Sequence, residues 1–365
     1  MEDPPVIMPA ALRLYLDHAA STPIIPAARA AMMDGMERWA NPSSPHSEGR
    51  AARAALENAR ARIKAALAWD GEVILTSGAS EALSLALGRG QCDGQVISAV
   101  EHDAVTRAST CTVYLPVGAD GLVDLEKLPS LILALDAVCP LIAVQHVNNE
   151  TGVIQPVAQI AEIVRVHNGL LLVDASQSAG KMPLPAADFI AVSAHKLGGP
   201  PGIGALLTRK FATLVPGGGQ EQGYRGGTEN MPAILGFAAA LEQDFAWMER
   251  AQGLRAMLDL AITEAGGAVV AANTPRIATI ASYHMPGVSS SSQLIGFDME
   301  GIAVSAGSAC SSGTLKTSHV LSAMGWGVRA ASEVVRVSLG PDTSADDAQR
   351  FIGVWKAIAR RAKAV

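Results

Sequence analysis

Between Asp188 and Gly204 the chain reads DFIAVSAHKLGGPPGIG, an apolar run that stops at a lysine and gives way to glycines and prolines. The run Phe189 to Val192 has no polar alternation, so it is expected to be buried on both faces as a strand of a parallel sheet. The four glycines and two prolines that follow can neither continue a strand nor start a helix of any length. Lys196 is therefore expected on a loop just past a strand's carboxyl end, the edge at which open α/β sheets bind ligands. With Ser193 and His195 beside it, such a lysine suits an amine that forms a Schiff base. It is equally compatible with an ordinary solvated loop lysine.

A second stretch upstream bears on the choice. Leu170 to Lys181 reads LLLVDASQSAGK, an apolar strand that delivers Asp174 to the same sheet edge with Gln177 three residues on. An acid and a lysine at the ends of neighbouring strands meet two separate requirements of pyridoxal phosphate. The carboxylate keeps the pyridine nitrogen protonated, and the amine holds the aldehyde carbon.

The rest of the chain supplies a frame for that edge. Helices are expected over Pro26 to Trp39 and Ser47 to Trp69, the second with Arg50, Arg53, Arg60 and Arg62 as surface charge. A strand Glu72 to Thr76, the loop Ser77-Gly78-Ala79-Ser80 and a helix Glu81 to Leu87 form a unit that can hold a phosphate at a helix N-terminus, or simply a capped helix. Gln95 to His102 is a further strand. His102 at its end is either structural or, in a pyridoxal site, a ring that stacks on the cofactor and exchanges protons. Strands Thr112 to Val117 and Leu141 to Val147 follow, then Asn148 and Asn149, then a helix from Gln155 to His167. These β-α-β repeats predict a mainly parallel sheet. Beyond Gly204 to Arg209 come a glycine-rich loop, one long helix from Glu229 to Ala265, and a smaller α+β lobe. That lobe has strands near 268–272, 277–284 and 334–339, and helices near 317–324 and 345–362.

Composition excludes several classes. A net charge of -6 with 4% aromatic residues argues against nucleic acid. The 49% hydrophobic share and mean hydropathy of +0.25 leave ample material for a core, yet the longest apolar candidate, Leu128 to Val147, is interrupted by Pro129, Asp136 and Pro140. No membrane span is expected. The start, MEDPPVIMPAALR, is acidic and proline-rich, unlike a signal peptide, so a cytoplasmic protein is expected. Cys92, Cys111, Cys139 and Cys310 form no CxxC, disulfide framework or zinc site. Cys310 differs from the other three because SAGSACSSGT is too rich in glycine and serine for a packed element. A tolerated surface cysteine and a sulfur nucleophile both fit it.

Ten stretches in order resemble the cysteine desulfurases of the class V aminotransferase group: YLDHAASTP, NPSSPHSEGR, TSGASEAL, AVEHDAV, HVNNETG, VDASQSAGK, SAHKLGGPPGIG, YRGGTENM, GSACSSG and VRVSLG. They run from Tyr15 to Gly340. The resemblance implies an α/β chain of the pyridoxal-phosphate transferase fold type I. Residues 1–25 would join the small domain, 26–250 would form the large cofactor domain, and 251–365 the small domain with the Cys310 loop. It implies pyridoxal 5'-phosphate bound by Ala79, Ser80, His102, Asn149, Asp174, Gln177, Ser193, His195 and Lys196, with Thr228 reaching the phosphate of the partner subunit in a homodimer. Arg336 and Asn149 would hold L-cysteine, with Lys196, His102 and Cys310 catalytic. Sulfur would leave as a persulfide on Cys310, bound for an iron-sulfur scaffold or sulfur-relay protein. His18, Ser21, Ser80 and Pro341 depart from the usual pattern. A serine transaminase or kynureninase-like lyase needs no loop cysteine, whereas a selenocysteine lyase stands closer. A scaffold paralogue would have lost chemical residues that are all present here.

Overall fold

The computed structural model describes residues 13–110, 113–307 and 318–363. Cys111 and Cys310 lie outside the described residues. A short strand β1 (Leu14–Tyr15) precedes helices α1 (Pro26–Glu37) and α2 (Ser47–Ala66). Pro26 opens α1, where its missing N–H costs no helical bond, and His46 caps α2 by accepting from Gly49 N at 3.2 Å. The chain then alternates β2 (Glu72–Thr76), α3 (Ala79–Arg89), β3 (Gly94–Ser98), α4 (Asp103–Ala108), β4 (Tyr114–Leu115), α5 (Leu128–Ala134), β5 (Pro140–Gln145), α6 (Val157–Val166), β6 (Leu170–Asp174), β7 (Phe189–Ser193) and β8 (Gly204–Thr208).

These strands form a seven-stranded sheet in the order β2-β8-β7-β6-β5-β3-β4. Only β8 runs against its neighbours; the other pairings are parallel. Every residue of β5, β7 and β8 is buried, the outcome required of apolar runs without alternation in a sheet covered on both faces. Helices on the two sides complete the core, Leu56 and Ile63 of α2 with Val144 and Val192, and Leu83 of α3 with Phe189 and Leu206.

Three expectations need correction. The strand predicted over 95–102 stops at Ser98, whose hydroxyl accepts from Val100 N at 3.2 Å, and His102 instead caps α4. The single helix predicted over 229–265 is two, α7 (Met231–Leu241) and α8 (Trp247–Glu264). Asp244 Oδ1 accepts from Ala246 N at 2.8 Å, a local turn that competes with the helix, while Gln243 bonds to Leu197 O. Arg60 is not surface charge. It is 8% exposed and forms a two-pronged ion pair with Glu221, at 2.7 and 3.0 Å.

After α8 come β9 (Ala268–Val269), β10 (Ile280–His284), α9 (Ser290–Met299), β11 (Ile302–Ala303), α10 (His319–Ala323), α11 (Val328–Ala331), β12 (Val334–Ser338) and α12 (Ala345–Lys363). An antiparallel sheet β12-β10-β9 packs under stacked Phe297 and Phe351, with Tyr283 and Trp355 fully buried beside them. The N-terminal segment joins this second core through Leu14 and Leu16, and β1 pairs with β11. Side chains of α7 belong to the first core and those of α8 to the second, so the cores change over across the turn 242–246. No described helix is long and apolar enough to cross a membrane.

Candidate active site

The carboxyl ends of β6 and β7 open into a cavity of about 430 Å³, a volume within the range of small-molecule sites. Of the residues singled out in the sequence, Ala79, Ser80, His102, Asn149, Asp174, Ser193, His195, Lys196 and Arg336 line it. A larger hollow of about 530 Å³ beside Trp69 has Lys181 and Arg209 in its wall but no carboxylate.

Strand register explains the meeting of acid and amine. Asp174 pairs with Ala191 across β6 and β7, so Asp174 and Ser193 end neighbouring strands. A single tight turn, Ala194–Lys196, then carries Lys196 past the edge and is closed by Leu197 N and Gly199 N on Ala194 O. The left-handed backbone at Gly198, φ 86°, lets the chain double back. The N-terminal segment docks on this turn, with Thr22 N donating to His195 O at 2.7 Å and Ile25 N to Gly198 O at 2.9 Å. Asp174 is 8% exposed, and its Oδ1 accepts from Ser176 N at 2.8 Å and from the Ser176 hydroxyl.

An anion cup faces these groups. β2 leads through Gly78, φ 152°, into the first turn of α3, whose N–H groups have no helical partners. A Cβ on Gly204 would stand 2.4 Å from Val192 O and 2.7 Å from Gly78 Cα, so β8 can lie against the cup only as glycine. Glu81 takes Ser77 N and pairs with Arg225 at 2.8 Å. Burial opposes ionisation of Glu81, but Arg225 and the Ser77 N–H outweigh it and hold the carboxyl low.

Two imidazoles flank the amine. His102 Nδ1 accepts from Ala104 N at 3.1 Å, so the neutral ring carries its proton on Nε2. Burial, then the Lys196 charge, lower its pKa against the opposing pull of Asp174. His195 is pushed down to about 4 by burial and by Lys196. At the opposite wall Arg336 of β12 donates to Asn149 O at 3.0 Å and to Asp17 Oδ1 at 2.7 Å, leaving a buried Nε without an acceptor.

Two of the residues do not line the cavity. Gln177 stands behind it, with Nε2 on Ala19 O at 2.8 Å and Oε1 unpartnered. Thr228 lies with Ser77, Gly202 and Arg225 around a separate hollow of about 40 Å³. Cys310 lies outside the described residues. Sequence reasoning missed Asp17, Ala19 and Ser176. Asp17 and Ala19 stand within YLDHAASTP, but nothing in their spacing points to Arg336 or to the cavity.

The lining fits pyridoxal phosphate. The first turn of α3 offers N–H groups for the phosphate, Asp174 a carboxylate for the ring nitrogen, and Lys196 an amine for the aldehyde, all lining one cavity. Among the described residues no group of histidines, cysteines or acids is arranged to hold a metal ion.

A family model, Aminotransferase class-V, matches residues 14–351. The chain is 34% identical to the cysteine desulfurase IscS of Dictyoglomus turgidum, with 96% of each covered. Its fold is similar to the X-ray structure of a NifS-like protein from Rickettsia africae, with a TM-score of 0.87, 31% identity, and 95% and 99% of the two chains covered. It is also similar to SspA solved in complex with cysteine, with a TM-score of 0.77, 29% identity, and 91% and 100% covered.

Proposed function

The chain belongs to the aminotransferase class-V family and, within it, to the cysteine desulfurases, and from that membership and the cavity we infer its reaction. It takes the sulfur of L-cysteine, releases L-alanine, and leaves a persulfide on Cys310 for transfer to an acceptor protein. Atoms and electrons balance without an outside oxidant: the substrate's C–S bond breaks, its carbon keeps the electron pair and gains a proton, and the sulfur joins the Cys310 thiolate.

Pyridoxal phosphate supplies the electron sink that makes the substrate's α-proton acidic. Ala79 and Ser80 hold its phosphate, Asp174 its ring nitrogen and Lys196 its aldehyde carbon, while Ser193, His195 and His102 surround the amine. Gln177 acts one step back by fixing Ala19, which does line the cavity. Arg336 grips the substrate carboxylate with Asn149 at its side, a pairing favoured by guanidinium geometry. Lys196 moves the α-proton. His102, held neutral by burial and by Lys196, carries its proton on Nε2 and offers that N–H as a hydrogen-bond donor to the substrate sulfur. Thr228, away from the cavity of its own chain, serves the partner subunit of a homodimer. The enzyme is placed in the cytoplasm, and the lobe beginning after the turn 242–246 carries the Cys310 segment.

The observation that supports this reading most is the meeting of Lys196, Asp174 and the Arg336–Asn149 pair around one cavity. The test is purified protein with L-cysteine, pyridoxal phosphate and dithiothreitol. Alanine and sulfide in equal amounts are expected; pyruvate and ammonia beside the sulfide would mark an eliminating lyase instead.

A further inference from the structure

Four side chains of the C-terminal lobe reach the loops that present His102 and Asn149 to the cavity. Ser282 Oγ donates to Glu150 O at 2.7 Å and Arg336 to Asn149 O at 3.0 Å. The other two, Ser318 and His319, have no part in the reaction described above. Ser318 is 2% exposed; its hydroxyl donates to Glu150 Oε2 at 2.5 Å and accepts from Leu321 N at 3.0 Å as the cap of α10. His319 Nε2 lies 2.8 Å from Glu101 O. A carbonyl only accepts, so this nitrogen carries the proton.

The large lobe holds the same loops from the other side. Gln145 N donates to Glu101 Oε1 at 2.8 Å, and Asn148 Nδ2 to Val100 O at 3.2 Å. The carbonyl taken by His319 belongs to the peptide that leads into His102, and the carboxylate taken by Ser318 to the residue after Asn149. One dipeptide therefore sets the position of both loops against the small lobe. Glu150 is buried, which raises its pKa, while Ser318 and the nearby cations pull it back. Losing the Ser318 hydroxyl would leave a buried acceptor short of a partner.

We propose that Ser318 and His319 are positioning residues for the desulfuration, holding the His102 and Asn149 loops in register with the lobe that carries Arg336. The proposal rests on the desulfurase reading of the cavity. Its test pairs hydrogen exchange by mass spectrometry on the purified full chain with steady-state kinetics on L-cysteine, for His319→Ala, His319→Gln and Ser318→Ala. His319 is exposed, so its replacement leaves the core intact. His319→Ala is expected to speed exchange over residues 99–108 by about tenfold, as losing about 1.4 kcal/mol of local stability does. It should lower kcat by roughly tenfold with KM within about twofold. His319→Gln, which keeps an N–H donor, should restore both to within about twofold. Ser318→Ala should act likewise over residues 146–154. Unchanged exchange in these loops, a Gln variant as impaired as the Ala variant, or quickened exchange throughout the chain would each overturn the proposal. A parent protein that converts no cysteine would sink the desulfurase reading, and with it the catalytic half of this one. The exchange data would still decide the anchoring.

Discussion

Two imidazoles in the neighbourhood of Lys196 resist protonation, His195 with the Lys196 charge against it and His18 with that of Lys181. His195 and His18 are both held near pKa 4, against 6.5 when exposed, chiefly by burial. Below pH 6.5 the unfolded chain takes up protons that the folded one refuses, so stability is full above 6.5 and falls as pH drops towards 4. The urea midpoint is predicted to fall steadily between pH 7 and 4.5, and His18→Gln should flatten that slope; an unchanged slope would exclude His18 as a contributor. Lys196→Ala should give protein that no longer turns yellow with pyridoxal phosphate, read by its visible absorbance. Arg336→Ala should raise KM for L-cysteine by about 10- to 100-fold, the worth of a charge-assisted hydrogen bond or two; a KM equal to the parent's would remove Arg336 from substrate binding. Lys196 and Asp174 were legible because each ends an apolar run, and a strand end has a fixed place in a parallel sheet. The Arg336–Asp17 pair was not, since two residues 319 apart in sequence leave no local trace of their contact. Arg60 misled for the opposite reason: charge on a helix reads as surface until its buried partner is known.

At the level of elements, the buried Arg60–Glu221 pair ties α2 to the loop that follows β8, and Glu221 Oε2 also accepts from Leu75 N at 2.8 Å beside the anion cup. Arg60→Ala would leave a buried carboxylate unpaired. It is predicted to destabilise the fold by about 3–5 kcal/mol, seen as a lower denaturant midpoint with the slope of the transition unchanged. Gly204→Ala should impair cofactor retention, because its methyl group would push β8 away from Gly78. Sequence patterning located the buried strands well, since a run of four or five β-branched and aliphatic residues has few other places to go. Helix ends were read less well. The break between α7 and α8 depends on one Asp244 turn and on Gln243 reaching a loop more than forty positions upstream, and neither leaves a periodic signal.

For the whole molecule, the cavity is shared between two cores: the large sheet supplies amine, acid and anion cup, and the C-terminal lobe supplies Arg336. The parallel sheet and smaller lobe were expected from the order of elements. That the N-terminal segment joins the smaller lobe was implied by the resemblance, but the pairing of residues 14–16 with β11 and β12 needed the folded chain, because a two-residue strand carries no pattern. If Thr228 serves the neighbouring subunit, mixed dimers of Lys196→Ala and Thr228→Ala chains regain one intact site, and activity should rise on mixing two weak homodimers. No gain on mixing would place Thr228 in its own site. The most direct measurement of the central claim is a single turnover with L-cysteine in the absence of reductant, followed by mass spectrometry of the peptide containing Cys310. One added sulfur atom on Cys310 for each alanine released is predicted, whereas alanine formed with that peptide unmodified would contradict the account.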